Sequence, residues 1–194
     1  MLSFNDIPKF TRNPGYRVDA SWANLEDNLK LLEDSGAGFE INPDFQRGHV
    51  WTEDKRSAYV EFILRGGQGA KDIYWNCPGW NGGRTGTMQL VDGLQRLTAV
   101  RRFMADDLLI FGGNRLSDYD GHPDILTARF HFHVNDLKTR AEVLQWYIDL
   151  NDGGVVHAKE EIDRVRGLLE REKTGEEHRS IEAHVGRKKP KNNM

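Results

Sequence analysis

The sequence predicts an α+β domain in which a small mixed sheet is flanked by helices. Residues 127–134 alternate apolar and polar side chains, which is the period of a half-buried strand. Residues 88–104 change from a strand-like run to apolar residues at helical spacing. Short segments of both kinds are mixed along one stretch without an internal repeat, and this mixture is typical of a compact α+β domain.

The first third of the chain is predicted to hold a short strand at 16–18, a helix and an extended segment. The helix covers residues 21–32, where four large side chains repeat at helical spacing: Trp22, Leu25, Leu29 and Leu32. Residues 39–51 are predicted to be extended, because Pro43 disfavours helical conformation in the residue before it.

A second helix is predicted to begin after Thr52, whose hydroxyl can cap it, and to end at Gly66-Gly67. Its buried face is predicted to consist of Tyr59, Phe62 and Ile63. Strands are predicted at 72–76 and 87–91, on either side of a glycine-rich loop. Trp75 is expected in the core, and Trp80, near the tip of the loop, is expected to contact a partner.

The rest of the chain is predicted to add a small hairpin over 108–116 and, after the strand at 127–134, two C-terminal helices. The first helix begins at Leu137 or Thr139 and ends at Leu150, before the turn 151–154; the second covers 158–173. The predicted division is a lead-in (1–20), a domain (21–174) and a polar, basic, disordered tail (175–194).

Composition narrows the possible functions. The net charge is −3 at pH 7, so bulk positive charge for coating nucleic acid is absent. A single cysteine, Cys77, excludes an intrachain disulfide. The sequence shows neither a signal-peptide pattern nor an apolar run of about 20 residues, which a membrane span needs. We therefore expect a cytoplasmic protein without a membrane partner.

The strand–turn–helix at Met88–Arg102 is the strongest candidate site. Asp92-Gly93 favours a tight turn, and Gln95 and Arg96 fall in the first helical turn. The free N–H groups of a helix N-terminus bind anions, and Arg96 would add charge-assisted bonds to phosphate. Asp92 could bind a divalent cation or orient water. The alternative is an ordinary turn with a solvated arginine.

Two further segments could complete such a site. Gln46-Arg47 could present a second arginine to phosphate, or Arg47 could simply stack on Trp51. The turn 151–154 contains Asn151, Gly153 and Gly154, and its glycines would allow close approach to a ligand or merely join two helices.

Other features have simpler explanations that we favour. His157 could act as an acid or base, but a lone histidine is usually structural. His131 and His133 share a strand face, where a polar surface is a better explanation than a metal site. The basic run 187–191 could touch nucleic acid, but short charged termini are usually solvated.

Taken in order, these motifs resemble the ParB-like family with a DGQQR signature, found in the GmrS half of GmrSD-type modification-dependent restriction systems. The resemblance rests on Gln46-Arg47 before Trp51, on Asp92-Gly-Leu-Gln-Arg-Leu-Thr98, and on Asn151-Asp-Gly-Gly154 before Glu161. It covers about residues 21–170.

The resemblance implies a ParB/sulfiredoxin-like fold with additional C-terminal helices and a nucleotide site at the corner. Carried over position by position, Asp92, Gln95 and Arg96 become catalytic, with Asp92 also a metal ligand. The nucleotide-binding positions become Gln46, Arg47, Gly93, Asn151, Gly153 and Gly154. The implied cofactor is a nucleoside triphosphate (NTP) with Mg²⁺.

Three departures from the family pattern stand out. Leu94 replaces the first glutamine of the signature, and Ala158 replaces a capping hydroxyl residue. The sequence leaves no room for a nuclease domain after residue 175, so we expect a standalone module of a phage or mobile element.

Three functions follow, in order of preference. The first is an NTP hydrolase linked to DNA restriction or phage–host DNA metabolism. The second is a non-catalytic DNA-binding or protein-interaction module, and the third is a metal-dependent DNA nuclease. The implied partners are a nucleotide and either DNA or a nuclease protein.

Overall fold

The computed structural model describes residues 15–35, 37–46, 48, 50–152 and 159–186, which form two compact units. The first unit contains the described residues up to Lys138, including the whole sheet. The second begins at Thr139 and contains two helices. Several features of the sequence analysis lie outside the described residues: Arg47, Gly153, Gly154, His157, Ala158 and the basic run 187–191.

Five strands form one mixed sheet in the order β1-β5-β3-β4-β2. The strands are β1 Tyr16–Ser21, β2 Gly38–Glu40, β3 Asp72–Asn76, β4 Thr87–Asp92 and β5 Arg129–Asn135. The pairs β1/β5 and β3/β4 are antiparallel, whereas β3/β5 and β2/β4 are parallel. A mixed sheet accompanied by helices confirms the predicted α+β class.

The helices begin largely where the sequence places their caps. In the first unit they are α1 Leu25–Ser35, α2 Glu53–Leu64 and α3 Leu94–Met104; in the second they are α4 Arg140–Asp152 and α5 Lys159–Gly186. A 3₁₀ turn, Trp22–Asn24, precedes α1 and is capped by Ser21. The Thr52 hydroxyl caps α2, as predicted. None of the helices in the described part of the chain is long and apolar enough to span a bilayer.

The core lies on one face of the sheet. The predicted alternation of β5 is confirmed, because its apolar positions, like those of the first helical segment, are at most 8% exposed: Trp22, Leu25, Leu29, Leu32, Ala128, Phe130, Phe132 and Val134. Trp75 is fully buried, as predicted. The polar side chains that alternate with the β5 core residues therefore lie on the opposite face.

Several local predictions are wrong. Phe62 is 49% exposed, because its ring lies over the Cα of Gly67 at the end of α2 rather than in the core. The segment predicted to be extended over 39–51 contains a turn after β2, because Gln46 N–H donates to the Pro43 carbonyl (2.9 Å) and Asp44 and Phe45 take the central positions. The predicted hairpin at 108–116 is reduced to a single bridge, Ile110–Asn114.

Trp80 packs within its own unit, while its predicted contact with a partner stays a prediction. Its ring contacts that of Tyr16 (5.3 Å between centroids), and the Arg84 guanidinium lies over it at 4.3 Å. The backbone N–H of Trp80 donates to the Asp136 carboxylate (3.2 Å). These contacts fix the loop between β3 and β4 against the sheet.

The helix predicted to end at Lys173 instead continues to Gly186. Ion pairs one turn apart support this polar helix, such as Arg164–Glu161 at 2.7 Å and Arg166–Asp163 at 3.2 Å. The predicted boundaries of the domain stay a prediction.

Candidate functional site

The corner between β4 and α3 is built on Gly93. This residue has φ +110°, a backbone conformation that residues other than glycine rarely adopt. A Cβ added there would also lie 2.5 Å from Cδ1 of Ile73. Because of both constraints, β4 ends at Asp92 and α3 begins two residues later, with the helix N-terminus at the end of the sheet.

The N-terminus of α3 has no capping side chain and no acidic residue in its first turn. The first intrahelical bond runs from Leu97 N–H to the Gly93 carbonyl (2.9 Å). The N–H groups before Leu97 therefore have no partner within the helix. Together with the helix dipole they make this end of α3 a positive, donor-rich surface that favours an anion.

Arg96 and Asp92 form an ion pair at this helix end. Both side chains are mostly buried, with 21% and 24% exposed, respectively. Burial opposes the charge of Arg96, but Asp92 outweighs it, so the pKa of Arg96 lies above its usual value. The Arg96 Nε is buried and has no hydrogen-bond partner among the described residues. Arg96 is therefore a fixed cation with a donor still unpaired.

Gln95 holds the segment that precedes α2. Its Oε1 accepts from the N–H groups of Val50 (3.1 Å) and Trp51 (3.2 Å), and its Nε2 donates to the Gly48 carbonyl (2.9 Å). Gln46 adds a fourth bond, from Nε2 to the Leu90 carbonyl of β4 (2.9 Å). We call Gln46, Gln95 and these four bonds the glutamine latch. It ties the residues on both sides of position 47 to the corner.

Leu94, which departs from the family pattern, is a core residue. It is 3% exposed and belongs to the main hydrophobic cluster. The leucine that replaces glutamine at this position therefore contributes to the packing of the core.

Asn151, predicted as part of a nucleotide-binding turn, is helical instead. It lies in the last turn of α4, in the second unit. Its side chain is buried (6% exposed), and Nδ2 donates to the Tyr147 carbonyl one turn earlier (2.6 Å). α4 thus ends at Asp152, two residues later than predicted but within the predicted turn 151–154, and the predicted contact of Asn151 with nucleotide stays a prediction.

A divalent cation fits this site only in company with a phosphate chain. Among the described residues there is no group of three His, Cys, Asp or Glu side chains that could hold an ion. Asp92 offers one carboxylate, of which Oδ2 pairs with Arg96. Mg²⁺ commonly uses one or two carboxylates together with phosphate oxygens and water, so this donor set suits a nucleotide-bound Mg²⁺ rather than a protein-caged one.

Beside the corner, three facing polar residues cross the sheet: Asp92, Tyr74 and His133, which we call the polar row. Tyr74 and His133 form no part of the site predicted from the sequence. The register of β3 and β4 places Tyr74 opposite Asp92, and that of β3 and β5 places it opposite His133. The rings of Tyr74 and His133 stack at 4.8 Å, and His133 Nε2 lies 2.7 Å from Asp72 Oδ1. The alternation of β3 signals this face, but only the strand pairing reveals the neighbours.

His131 has a similar partner, Asp19, with Nδ1 2.7 Å from Oδ1. Each histidine is thus paired with a carboxylate. This arrangement agrees with the polar sheet face that we favoured over a metal site.

Comparison with known proteins gives one match. The family model described as GmrSD restriction endonuclease, N-terminal domain, matches residues 29–189. This range includes the glutamine latch, the corner and Asn151, and it confirms the resemblance inferred from the motifs. No curated protein and no solved structure matches the chain, so the ParB/sulfiredoxin-like topology stays a prediction.

Proposed function

The chain belongs to the GmrSD restriction endonuclease N-terminal domain family, and on this premise we propose that its β4–α3 corner binds and hydrolyses a nucleoside triphosphate. Membership links the protein to restriction systems. The hydrolysis would serve such a system or a related step of phage–host DNA metabolism, with DNA or a nuclease protein as a further partner.

Arg96 carries this proposal. Its guanidinium is fixed by Asp92 at an uncapped helix N-terminus, and its Nε is buried without a partner among the described residues. A phosphate oxygen would accept from the N–H groups of α3 and lie against the partly exposed guanidinium of Arg96, and its negative charge suits both.

The glutamine latch supports the same reading. It ties Gln46 and Gly48 to the corner, so that the chain on either side of position 47 runs beside the proposed phosphate site. Gln95 then acts by positioning this segment rather than by touching the reacting atoms. We propose that Arg47 is the second cation that the segment presents to the nucleotide.

Asp92 would be the protein ligand of a nucleotide-bound Mg²⁺. When bound, such an ion would neutralise the charge of the phosphate oxygens. The Asp92–Arg96 pair would then hold one cationic side chain and one carboxylate at fixed positions beside the phosphates.

The test compares Arg96→Ala with Arg101→Ala. Arg101 lies in the last turn of the same helix, away from the corner, and pairs with Glu26. Bonds to charged groups typically contribute about 1.5–3 kcal/mol, so we expect Arg96→Ala to weaken NTP binding by about 10- to 100-fold. We expect Arg101→Ala to bind like the wild type.

Binding is measured by thermal shift over all NTPs with Mg²⁺, and turnover by phosphate release. A ligand at 100 times its Kd should stabilise the wild type by about 2.7 kcal/mol. If no NTP stabilises the protein, or if Arg96→Ala binds as tightly as the wild type, the proposal is wrong.

A second candidate function is a non-catalytic DNA-binding or interaction module. The glutamine latch favours it, because the three side-chain hydrogen bonds of Gln95 go to the backbone of Gly48, Val50 and Trp51, which leaves fewer polar groups for chemistry at the corner. Stable NTP binding without phosphate release would support this alternative. DNA binding that weakens linearly with salt on a logarithmic scale would identify its partner.

A further inference from the structure

The polar row leads from the corner to a histidine with the geometry of a base. His133, Tyr74 and Asp92 occupy facing positions on three adjacent strands, β5, β3 and β4. Facing residues of paired strands point to the same side of a sheet. With strands about 4.8 Å apart, His133 lies about 10 Å from Asp92 on that face. This distance suits a phosphate chain that extends from the corner along the row.

Asp72 orients the His133 ring. Its Oδ1 lies 2.7 Å from Nε2, and the two side chains are 44% and 16% exposed, respectively. Because a carboxylate only accepts hydrogen bonds, the pair places the proton on Nε2. In the neutral imidazole Nδ1 then carries the lone pair, and no hydrogen bond reaches it from the described part of the chain. This is the arrangement of a histidine poised to take a proton.

Tyr74 restricts rotation of the His133 ring out of its plane. It stacks on His133 with an interplanar angle of 18°, so the imidazole is held both in its plane and against rotation. Burial, Asp72 and Asp92 together raise the pKa of the Tyr74 hydroxyl. The carboxylates of Asp72 and Asp92 therefore both favour the neutral hydroxyl, and Tyr74 stays neutral at physiological pH.

We infer that His133 is the general base of the proposed NTP hydrolysis and that Asp72 is its positioning residue. A water oxygen attacks the γ-phosphorus, and its proton passes to Nδ1 of His133. The bond from the γ-phosphorus to the bridging oxygen breaks, and its electron pair leaves with the nucleoside diphosphate. Asp72 stabilises the imidazolium until the proton returns to solvent. The inference rests on the proposed function.

His131 is a matched control within the same strand. It lies on the same face, is 17% exposed and pairs with its own carboxylate, Asp19, at 2.7 Å. It faces Asp72 rather than Tyr74 in β3. His131 is therefore two residues, or about 7 Å, farther along the strand from the row that meets the corner.

The test measures NTP binding and phosphate release separately for His133→Gln and His131→Gln. General base catalysis typically contributes about 10²- to 10⁴-fold, so we expect His133→Gln to lose that much turnover while it binds NTP like the wild type. His131→Gln should retain both. Added imidazole should restore turnover to His133→Ala in proportion to its concentration, which a merely structural role would not allow.

The outcomes separate this inference from the proposed function. If the wild type releases phosphate and His133→Gln is equally active, or if His131→Gln loses as much turnover, the base is not His133 and the proposed function stands. If Arg96→Ala loses binding but imidazole fails to rescue His133→Ala, the base is again wrong. If the wild type neither binds nor hydrolyses any NTP, both fail.

Discussion

At the scale of single residues, Gly93 decides whether the corner can form. Its positive φ and its contact with Ile73 are independent constraints, and each alone disfavours a side chain. A left-handed conformation costs roughly 1–2 kcal/mol in a residue with a Cβ, and forcing a methyl group into a packed core costs about 1–3 kcal/mol. The Asp92–Arg96 pair depends on this turn, because it joins the last residue of β4 to the first turn of α3.

We predict that Gly93→Ala lowers the free energy of unfolding by about 2–5 kcal/mol, the sum of the two costs. Denaturant unfolding would measure it. Gly82→Ala is the control, because its Cβ would meet no atom within 4 Å and its φ is not positive. Adding Ile73→Val removes the Cδ1 atom nearest the new methyl group, so the double variant should lose less than the sum of the single losses. Strict additivity would contradict the packing explanation.

At the scale of elements, the glutamine latch joins α3 to the segment before α2. Gln95 is 8% exposed although it is polar, because its amide replaces the backbone partners that an irregular segment lacks. The segment itself has few apolar anchors: Trp51 packs on Tyr59 (5.4 Å between centroids), whereas Val50 is 52% exposed. The positions of Gly48, Val50 and Trp51 therefore depend chiefly on Gln95.

We predict that Gln95→Leu releases this segment while the rest of the domain stays folded. Three backbone groups would lose their bonds, and water can reach them only if the segment moves away. Hydrogen exchange should show lost protection at Val50 and Trp51, and NTP affinity should fall with it. Gln68→Leu is the control, because Gln68 is exposed and, within the described part of the chain, its side chain bonds only to the nearby Gly66 carbonyl (2.9 Å). Unchanged protection at Val50 and Trp51 would contradict the latch.

At the scale of the whole molecule, the sequence predicts those structural features that depend on residues close together in the chain. The α+β class, the α2 cap at Thr52 and the alternation of β5 are local patterns, and the structure confirms them. The turn at Gly93 is also local, and its positive φ explains why a glycine is needed there.

The rest of the site depends on distant pairing. Gln95 reaches residues more than 40 positions away in the chain. The register shift between Tyr74 and Trp75 decides which β3 residue faces Asp92. Neither contact leaves a periodic trace in the sequence, so the polar row could only be found after folding had brought its strands together.

Acid stability also belongs to the whole molecule, because four aspartates and Glu53, in different elements of the described chain, have lowered pKa values. The aspartates are Asp19, Asp106, Asp124 and Asp136, which accept bonds chiefly from His131, Ser117, Leu126 and Lys138, respectively, and Glu53 accepts chiefly from Arg102. A carboxyl whose pKa is lower in the folded state stabilises the fold fully above its unfolded pKa, about 3.9 for an aspartate, and loses that contribution as the pH falls through its folded pKa. Tm should therefore drop steeply below about pH 4.

Asp136→Asn tests this explanation at one site. Asp136 accepts from Lys138 and from the N–H groups of Gly79 (2.6 Å) and Trp80 (3.2 Å), so it fixes the loop between β3 and β4. An amide can keep the backbone bonds but not the charge. We predict a lower Tm than the wild type at pH 7 and a smaller drop between pH 4 and 2. Asp120→Asn, an exposed loop change, should follow the wild-type curve. An unchanged acid drop in Asp136→Asn would show that the loss of stability originates elsewhere.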